Sequence, residues 1–184
     1  MKVRLAGSED LGNLADLWSR LENAMMYGNR RFLRDLVSRL YRLGAVMVVA
    51  EDGKLVGGMV LAHSTAIRKV ISLYMASKAL FGLYGSPIKL LTGLADSRRF
   101  MKLIDSSYHG LFVYVEPDYR EKGLSLEMWR TAAGRIDGKI TLLIDEKNNI
   151  SAKWAERAGF KLVGKSSFGG KKFALYSKET EMEQ

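Results

Sequence analysis

One segment, residues 110–145, constrains the fold of this chain more than any other. It opens with Gly110-Leu111-Phe112-Val113-Tyr114-Val115, whose β-branched and aromatic side chains favour a strand. A polar loop follows, then a helical pattern over about 123–136 and a second strand from Lys139 to Asp145. A strand, a helix and a strand in this order predict a β-α-β crossover with its two strands in one sheet.

The remaining patterns place hairpins at both ends of the chain. Apolar periodicity predicts a strand over Lys2 to Ala6 and helices over 9–26 and 29–43. Asp52-Gly53 indicates a two-residue turn inside a hairpin over 45–61. A further helix, 148–159, precedes two final strands that meet at Gly169-Gly170. The predicted order is β-α-α-β-β-(αα)-β-α-β-α-β-β.

This order predicts a mixed α/β fold, with a central twisted sheet of about seven strands flanked by helices. We expect a single domain over 1–178 with a polar tail over 179–184. Residues 65–106 are read as a two-helix insertion between strands 3 and 4. Their apolar stretch, from Val70 to Tyr84, is too short and too interrupted for a membrane span.

Composition excludes several classes of site. The chain has no cysteine, which rules out disulfides, thiolate zinc sites and a cysteine nucleophile. With only two histidines, His63 and His109, we expect no metal. The first residues lack the apolar segment of a secretory signal, so a cytoplasmic location is expected.

The formal net charge of +9 is concentrated in the second helix. That helix carries five arginines opposed locally only by Asp35: Arg30, Arg31, Arg34, Arg39 and Arg42. A solvated helix face explains them, and attraction to an anionic partner is the alternative. No nucleic-acid-binding motif accompanies the charge, so a nucleic-acid partner is not favoured.

The loop between the 110–115 strand and the next helix has the features of a phosphate site. A strand ending at Pro117 leads into Arg120, Lys122 and Gly123, and the small Ser125 lies in the first helical turn. Backbone N–H groups at a helix start, together with the positive end of the helix dipole, bind phosphate oxygens. Gly123 allows an anion to approach the backbone closely.

Two blocks of this sequence resemble the GNAT acetyltransferase superfamily. The first, Val115-x-Pro117-x-Tyr119-Arg120-x-x-Gly123-x-Ser125, is similar to the family's pyrophosphate-binding signature, R/Q-x-x-G-x-G/A after a V-x-P strand end. The second, running from Asn148-x-x-Ser151 to Gly159-Phe160, is similar to its N-x-x-A/S-x-x-F-Y-E-K-x-G-F helix and strand start. Together they span residues 111–164.

The resemblance implies that acetyl-CoA binds in a gap between the fourth and fifth strands. Main-chain groups of the strand end would bind the pantetheine and thioester, main-chain N–H groups of the loop would bind the pyrophosphate, and Asn148 would touch the pantetheine. The implied cofactor-binding residues are Val113, Tyr114, Val115, Arg120, Glu121, Lys122, Gly123, Leu124, Ser125, Asn148 and Ser151.

The sequence departs from the family pattern at two positions that matter. Glu121 stands where glycine is frequent, and it brings a negative charge near the implied phosphates. Ala155 stands where many members carry a tyrosine proposed to protonate the leaving thiolate. The usual general acid is therefore absent.

The catalytic candidates are His109 and Tyr114. An acetyl transfer to an amine needs a base, and an unperturbed histidine titrates near neutral pH. His109 matches the position of the catalytic glutamate of histone-type members, while a surface histidine at a strand start is the alternative. Tyr114 is a candidate acid, with a packing role as its alternative.

We therefore expect an acetyl-CoA-dependent N-acetyltransferase that acts directly on a primary amine of a small molecule or peptide. One alternative is a catalytically weak or inactive acyl-CoA-binding regulatory module, favoured by Ala155. A second is a basic nucleic-acid-binding protein, prompted by the arginines. The acceptor and the oligomeric state are left open, a homodimer being one alternative.

Overall fold

A computed structural model describes residues 1–21, 30–70, 72, 102, 107–168 and 171–181 of the chain. Residues 64–70 are helical. Most of the predicted insertion over 65–106, residues 22–26 of the first predicted helix and the turn at Gly169-Gly170 lie outside the described residues. The first helix itself ends at Trp18, earlier than predicted.

Seven strands form one sheet, as predicted. Their bounds are β1 Lys2–Leu5, β2 Val46–Glu51, β3 Leu55–His63, β4 Tyr108–Val115, β5 Gly138–Asp145, β6 Lys161–Phe168 and β7 Lys171–Thr180. The strand order is β1-β2-β3-β4-β5-β7-β6. The pairs β1–β2, β2–β3 and β6–β7 are antiparallel. The predicted mixed α/β fold with hairpins at both ends is confirmed.

The helices also follow the predicted order. They are α1 Leu11–Trp18, α2 Arg30–Arg42, α3 Leu124–Ala133 and α4 Asn149–Arg157. A 3₁₀ turn, Ser8–Asp10, precedes α1, and its Asp10 carboxylate accepts the N–H of Gly7 at 2.8 Å. The acidic residue of this turn, Asp10, is buried against Arg4, with Arg4 Nη1 2.7 Å from Asp10 Oδ2.

Several predicted boundaries differ from the structure. The hairpin connection is three residues long rather than two, because the register shifts between Ala50 and Glu51 and pairs Glu51 with Leu55. Strand β4 begins at Tyr108, two residues early, which places His109 inside a strand. Strand β7 continues to Thr180, so the first residues of the expected tail are ladder residues. The Thr180 hydroxyl donates to the carbonyls of Ile136 and Gly138 at 3.0 and 2.9 Å.

The chain divides into two compact units, of which the first comprises Met1–Ala62, Gly110–Gly138 and Glu179–Gln184. In this unit two adjacent glycines let helices approach the sheet. A Cβ on Gly58 would lie 2.5 Å from Leu14 of α1, and one on Gly57 would lie 3.4 Å from Met128 of α3. Because successive strand residues face opposite sides, α1 and α3 cover opposite faces of this part of the sheet.

The second unit comprises His63–His109 and Lys139–Lys178. Here α4 is followed by Gly159, whose φ of 86° suits glycine. The ammonium of Lys178 in β7 donates to the carbonyl of Ala158 at 2.8 Å. This bond satisfies a carbonyl that the helix itself leaves without a partner.

The arginine cluster of α2 is less isolated than its sequence predicts. Asp16 of α1 lies 2.6 Å from Arg30 and 3.4 Å from Arg34, and Asp35 pairs with Arg39 at 2.6 Å. The sequence-based prediction considered only the charges within α2. It therefore missed Asp16, which belongs to α1. These pairs support the solvated-face interpretation over an anionic partner.

In the described part of the chain, no helix is both long and apolar enough to cross a membrane.

Candidate functional site

The loop between β4 and α3 folds back on itself immediately after the strand. The N–H of Glu116 donates to the carbonyl of Val56 at 2.8 Å, which is the last bond of the strand end. Pro117 then begins a 3₁₀ turn, Pro117–Tyr119, in which proline sits at the first position without loss of a hydrogen bond. The N–H of Arg120 closes this turn by donating to the Pro117 carbonyl at 3.1 Å.

Five successive backbone N–H groups follow, from Glu121 to Ser125. Within the described residues none of them donates to a protein acceptor, whereas the next two, of Leu126 and Glu127, donate to the Gly123 carbonyl at 3.0 and 3.1 Å. A run of donors with no protein acceptor at a helix start can bind an anion. Arg120 is among the residues expected to bind the cofactor, but its N–H is not available to an anion because it already donates to the Pro117 carbonyl.

The backbone conformation of the loop explains why glycine suits two of its positions. Glu121 has φ 64° and Gly123 has φ 78°, both in the left-handed region. A non-glycine residue there costs about 1 kcal/mol, which makes Glu121 a locally strained residue. A Cβ on Gly123 would meet no atom within 4 Å, so open space adjoins the loop at this point.

The loop side chains hold the turn to the rest of the first unit. Arg120 Nε donates to the carbonyl of Val115 at 3.2 Å. The Lys122 ammonium lies 4.8 Å from the centre of the Tyr119 ring, within the range of a cation–π contact. The Tyr119 hydroxyl donates to Asp52 in the β2–β3 hairpin at 3.2 Å. No local sequence pattern predicts this last contact, because its partners are 67 residues apart.

A second group of polar side chains lies where β4 ends. The Tyr114 hydroxyl donates to Glu116 Oε2 at 3.1 Å, and Arg20, two residues after α1, pairs with the other oxygen of that carboxylate. Tyr114 is half-buried, as are Val113 and Val115. Phe112, two residues before Tyr114, stacks on Trp18 of α1 at 5.3 Å between ring centres. Tyr114 therefore belongs to the face of β4 that α1 covers.

His109 is not a surface residue. Its side chain is buried, and its Nδ1 lies 2.9 Å from the Thr141 hydroxyl. That hydroxyl donates to the Tyr108 carbonyl at 3.2 Å, so it accepts a hydrogen bond from the Nδ1–H group of the neutral His109 ring. Burial lowers the pKa of His109 to about 3. The expectation of a histidine that titrates near neutral pH is therefore wrong, and so is the surface alternative.

In the second unit, the residues of the second sequence block lie at the start of α4. Asn148 caps the helix, as its position predicts, by accepting the N–H of Ser151 on Oδ1 at 3.0 Å. This leaves the side-chain amide N–H groups of Asn148 as its donors to a ligand. Ala155 is fully buried in the middle of α4. Position 155 therefore supplies no hydroxyl that could act as the general acid.

A surface cavity of about 760 Å³ lies beside the β2–β3 hairpin in the first unit. Residues of α1, β1 and the hairpin line it, together with Arg20 after α1, and they include Asp16, Asp52 and Lys54. None of the predicted cofactor-binding residues lines it. Asp52 nevertheless belongs both to this cavity and to the contact with Tyr119.

Within the described segments, no group of three or more histidine or acidic side chains could hold a metal ion.

Comparison with solved structures identifies the fold. A phosphinothricin acetyltransferase of the GNAT superfamily from Sinorhizobium meliloti, solved with acetyl-CoA, is 16% identical with a TM-score of 0.63, over 98% of this chain and 88% of that one. A ribosomal-protein-alanine N-acetyltransferase from Brucella melitensis is 15% identical with a TM-score of 0.62, over 97% and 99% of the two chains.

A third similar structure is a GNAT-family acetyltransferase from Bacillus cereus. It is 14% identical with a TM-score of 0.60, over 97% of this chain and 96% of that one. No protein-family model matches the chain, and no curated protein matches its sequence. The chain therefore has the fold of GNAT acetyltransferases. Sequence identities this low support a shared fold and nothing more specific.

Proposed function

We propose that this protein is an acetyl-CoA-dependent N-acetyltransferase that transfers an acetyl group directly to a primary amine of a small molecule or peptide. The observation that carries the proposal is the run of N–H groups from Glu121 to Ser125, which have no acceptor among the described residues. A diphosphate is the anion that best matches such a run at a helix start. The fold and the two sequence blocks select CoA among diphosphate ligands.

The residues present fit the cofactor. Gly123 leaves open space beside the loop, and the Lys122 ammonium adds positive charge close to the donors. We assign the diphosphate to the N–H groups from Glu121 to Ser125. Main-chain groups of Val113 to Val115 would bind the pantetheine and thioester, and Asn148 and Ser151 would contact the pantetheine arm.

Acetyl-CoA supplies an acyl group activated as a thioester. In direct transfer, the neutral amine forms a bond to the acetyl carbonyl carbon and the carbon–sulfur bond breaks. One proton leaves the amine nitrogen and one proton reaches the CoA sulfur. His109 is a poor base for this step, because burial lowers its pKa to about 3 and its ring is held by Thr141. Water can accept the amine proton instead.

Tyr114 is the proton donor that we assign to the thiolate. It lies at the strand end to which the thioester is assigned, and its hydroxyl is oriented by Glu116. Arg20 binds the same carboxylate and offsets its negative charge when the tyrosine gives up its proton.

A steady-state assay with a panel of primary amines tests the function. We expect acetyl-CoA to be consumed in an amine-dependent way, with one free thiol formed for each acetylated amine, as measured by thiol titration and mass spectrometry. Thiol release that does not depend on the amine would indicate hydrolysis. No thermal stabilisation by CoA at any concentration would reject the cofactor assignment itself.

An acyl-CoA-binding regulatory module is the second candidate, favoured by the buried Ala155 at the position of the family tyrosine. A pure binding module would be stabilised by CoA and yet release no thiol with any amine. The same two measurements therefore separate the two functions.

Replacing Tyr114 with phenylalanine tests the assigned acid. We expect kcat to fall about 10- to 100-fold, because a positioned acid contributes about that much or more. The Kd for CoA should stay unchanged, since the ring and the main chain are retained. An unchanged kcat would limit Tyr114 to packing, and a Kd that rises in step with the loss of kcat would indicate a binding role.

A further inference from the structure

The tip of the β2–β3 hairpin holds the loop to which we assign the diphosphate. Tyr119 ends the 3₁₀ turn directly before the loop, and its hydroxyl donates to Asp52 Oδ2 at 3.2 Å. The hairpin tip is itself ordered by a bond from the Asp52 N–H to the Lys54 carbonyl at 2.9 Å. Tyr119 is thus attached to a fixed point outside its own loop.

The same tyrosine determines where a loop cation lies. Lys122 Nζ lies 4.8 Å from the centre of the Tyr119 ring. Arg120, the other cation of the loop, donates its Nε to the Val115 carbonyl. Lys122 therefore has its ammonium placed by an aromatic face, and it lies within the run of N–H groups from Glu121 to Ser125.

We propose that Asp52 and Tyr119 are positioning residues for CoA, which hold Lys122 beside the diphosphate. This inference rests on the proposed function. Asp52 fixes the tyrosine ring, the ring fixes the lysine, and the lysine contributes charge to phosphate binding. Neither Asp52 nor the Tyr119 hydroxyl needs to touch the cofactor.

The electrostatics of Asp52, Tyr119 and Lys122 are consistent with these proposed roles. Partial burial and the neighbouring Asp52 carboxylate raise the pKa of Tyr119, so its hydroxyl remains a proton donor throughout the neutral range. An ammonium over an aromatic face keeps its N–H groups on the side away from the ring available to an anion. Preorganisation of this kind reduces the entropy lost when the ligand orders the side chain.

Calorimetric titration of CoA into four variants tests the pair. Tyr119→Phe keeps the ring and removes the hydroxyl that donates to Asp52. Asp52→Ala removes the carboxylate that accepts this hydrogen bond. We expect each to raise the Kd for CoA about three- to tenfold, the size of one net hydrogen bond. The double variant should be no weaker than either single variant, because both remove the same bond. Asp52→Asn, which retains an acceptor oxygen, should bind nearly as the wild type does.

Pantetheine, which lacks the diphosphate, is the matched ligand. Its Kd should be the same for the wild type, Tyr119→Phe and Asp52→Ala, whereas a general disturbance of the fold would weaken both ligands equally. In a Lys122→Met background, Tyr119→Phe should cause no further loss of CoA affinity. A further loss there, or equal losses for CoA and pantetheine, would overturn the assignment.

Failure of the inference and failure of the proposed function give different results. If the wild type binds CoA no better than pantetheine, the diphosphate site itself is wrong. If the wild type prefers CoA and both single variants retain its Kd, the diphosphate site stands and only the positioning pair is rejected.

Discussion

Replacing Gly123 with glutamate is expected to weaken CoA binding by more than about 100-fold. The new side chain enters the open space beside the loop, where no protein atom lies within 4 Å of the Cβ position. Its carboxylate can then occupy the N–H groups assigned to the diphosphate and repel the phosphates. Loss of two or more charge-assisted bonds gives an effect of this size.

The backbone contributes a smaller part of the effect. Gly123 has φ 78°, and any side chain there costs about 1 kcal/mol. Gly44→Glu is the matched control, because Gly44 has φ 82°, also has no atom within 4 Å of its Cβ position, and lies between α2 and β2. Both variants should lose similar unfolding free energy by urea denaturation. Only Gly123→Glu should lose CoA affinity by calorimetry, and equal affinities in the two variants would contradict the site.

The parts of the fold that could be predicted are those whose signal is local. The hairpin between β2 and β3, the β4–α3–β5 unit and the Asn148 cap all follow from residues within a few positions of one another. The loop that opens α3 could be predicted for the same reason. Its proline, its glycine and the following helix pattern are contiguous, and backbone groups supply the donors.

The parts that could not be predicted depend on contacts between distant residues. Asp16 comes from a different helix to pair with Arg30 and Arg34, and Asp52 reaches Tyr119 across 67 positions. The polar residues Glu179 and Thr180 resemble the start of a tail, yet β7 includes them because backbone pairing does not depend on side-chain hydropathy. Side-chain partners of this kind follow only from the assembled sheet.

His109 illustrates the same limit, and it leads to the second large effect. The wild type is expected to lose about 2 to 3 kcal/mol of unfolding free energy between pH 6.5 and pH 4.5 through this residue. Its folded pKa of about 3 lies below the ordinary value of 6.5, so the folded state binds fewer protons than the unfolded state. The contribution of His109 to the free energy of unfolding is therefore fully present above about pH 6.5, and it decreases as the pH drops towards 3.

The pair of Arg4 with the buried Asp10 contributes at lower pH, and a second histidine variant serves as the control. Hydrogen bonds from Arg4 lower the pKa of Asp10 below 3.8, so the stability from that pair is present above about pH 3.8 and is lost only at lower pH. The only other histidine of the chain, His63, supplies the matched variant, His63→Asn. Urea denaturation at half-unit pH steps measures the dependence for both variants.

His109→Asn should remove most of the pH dependence between 6.5 and 4.5, because asparagine does not titrate and its amide can still donate to Thr141. His63→Asn should leave the dependence as it is in the wild type. The pH–rate profile of acetyl transfer provides an independent check, since a histidine held neutral cannot be the group whose protonation limits the rate. His109→Asn should therefore retain the inflection of the wild-type profile. If the inflection shifts while the pH dependence of the unfolding free energy stays unchanged, His109 takes part in the reaction after all.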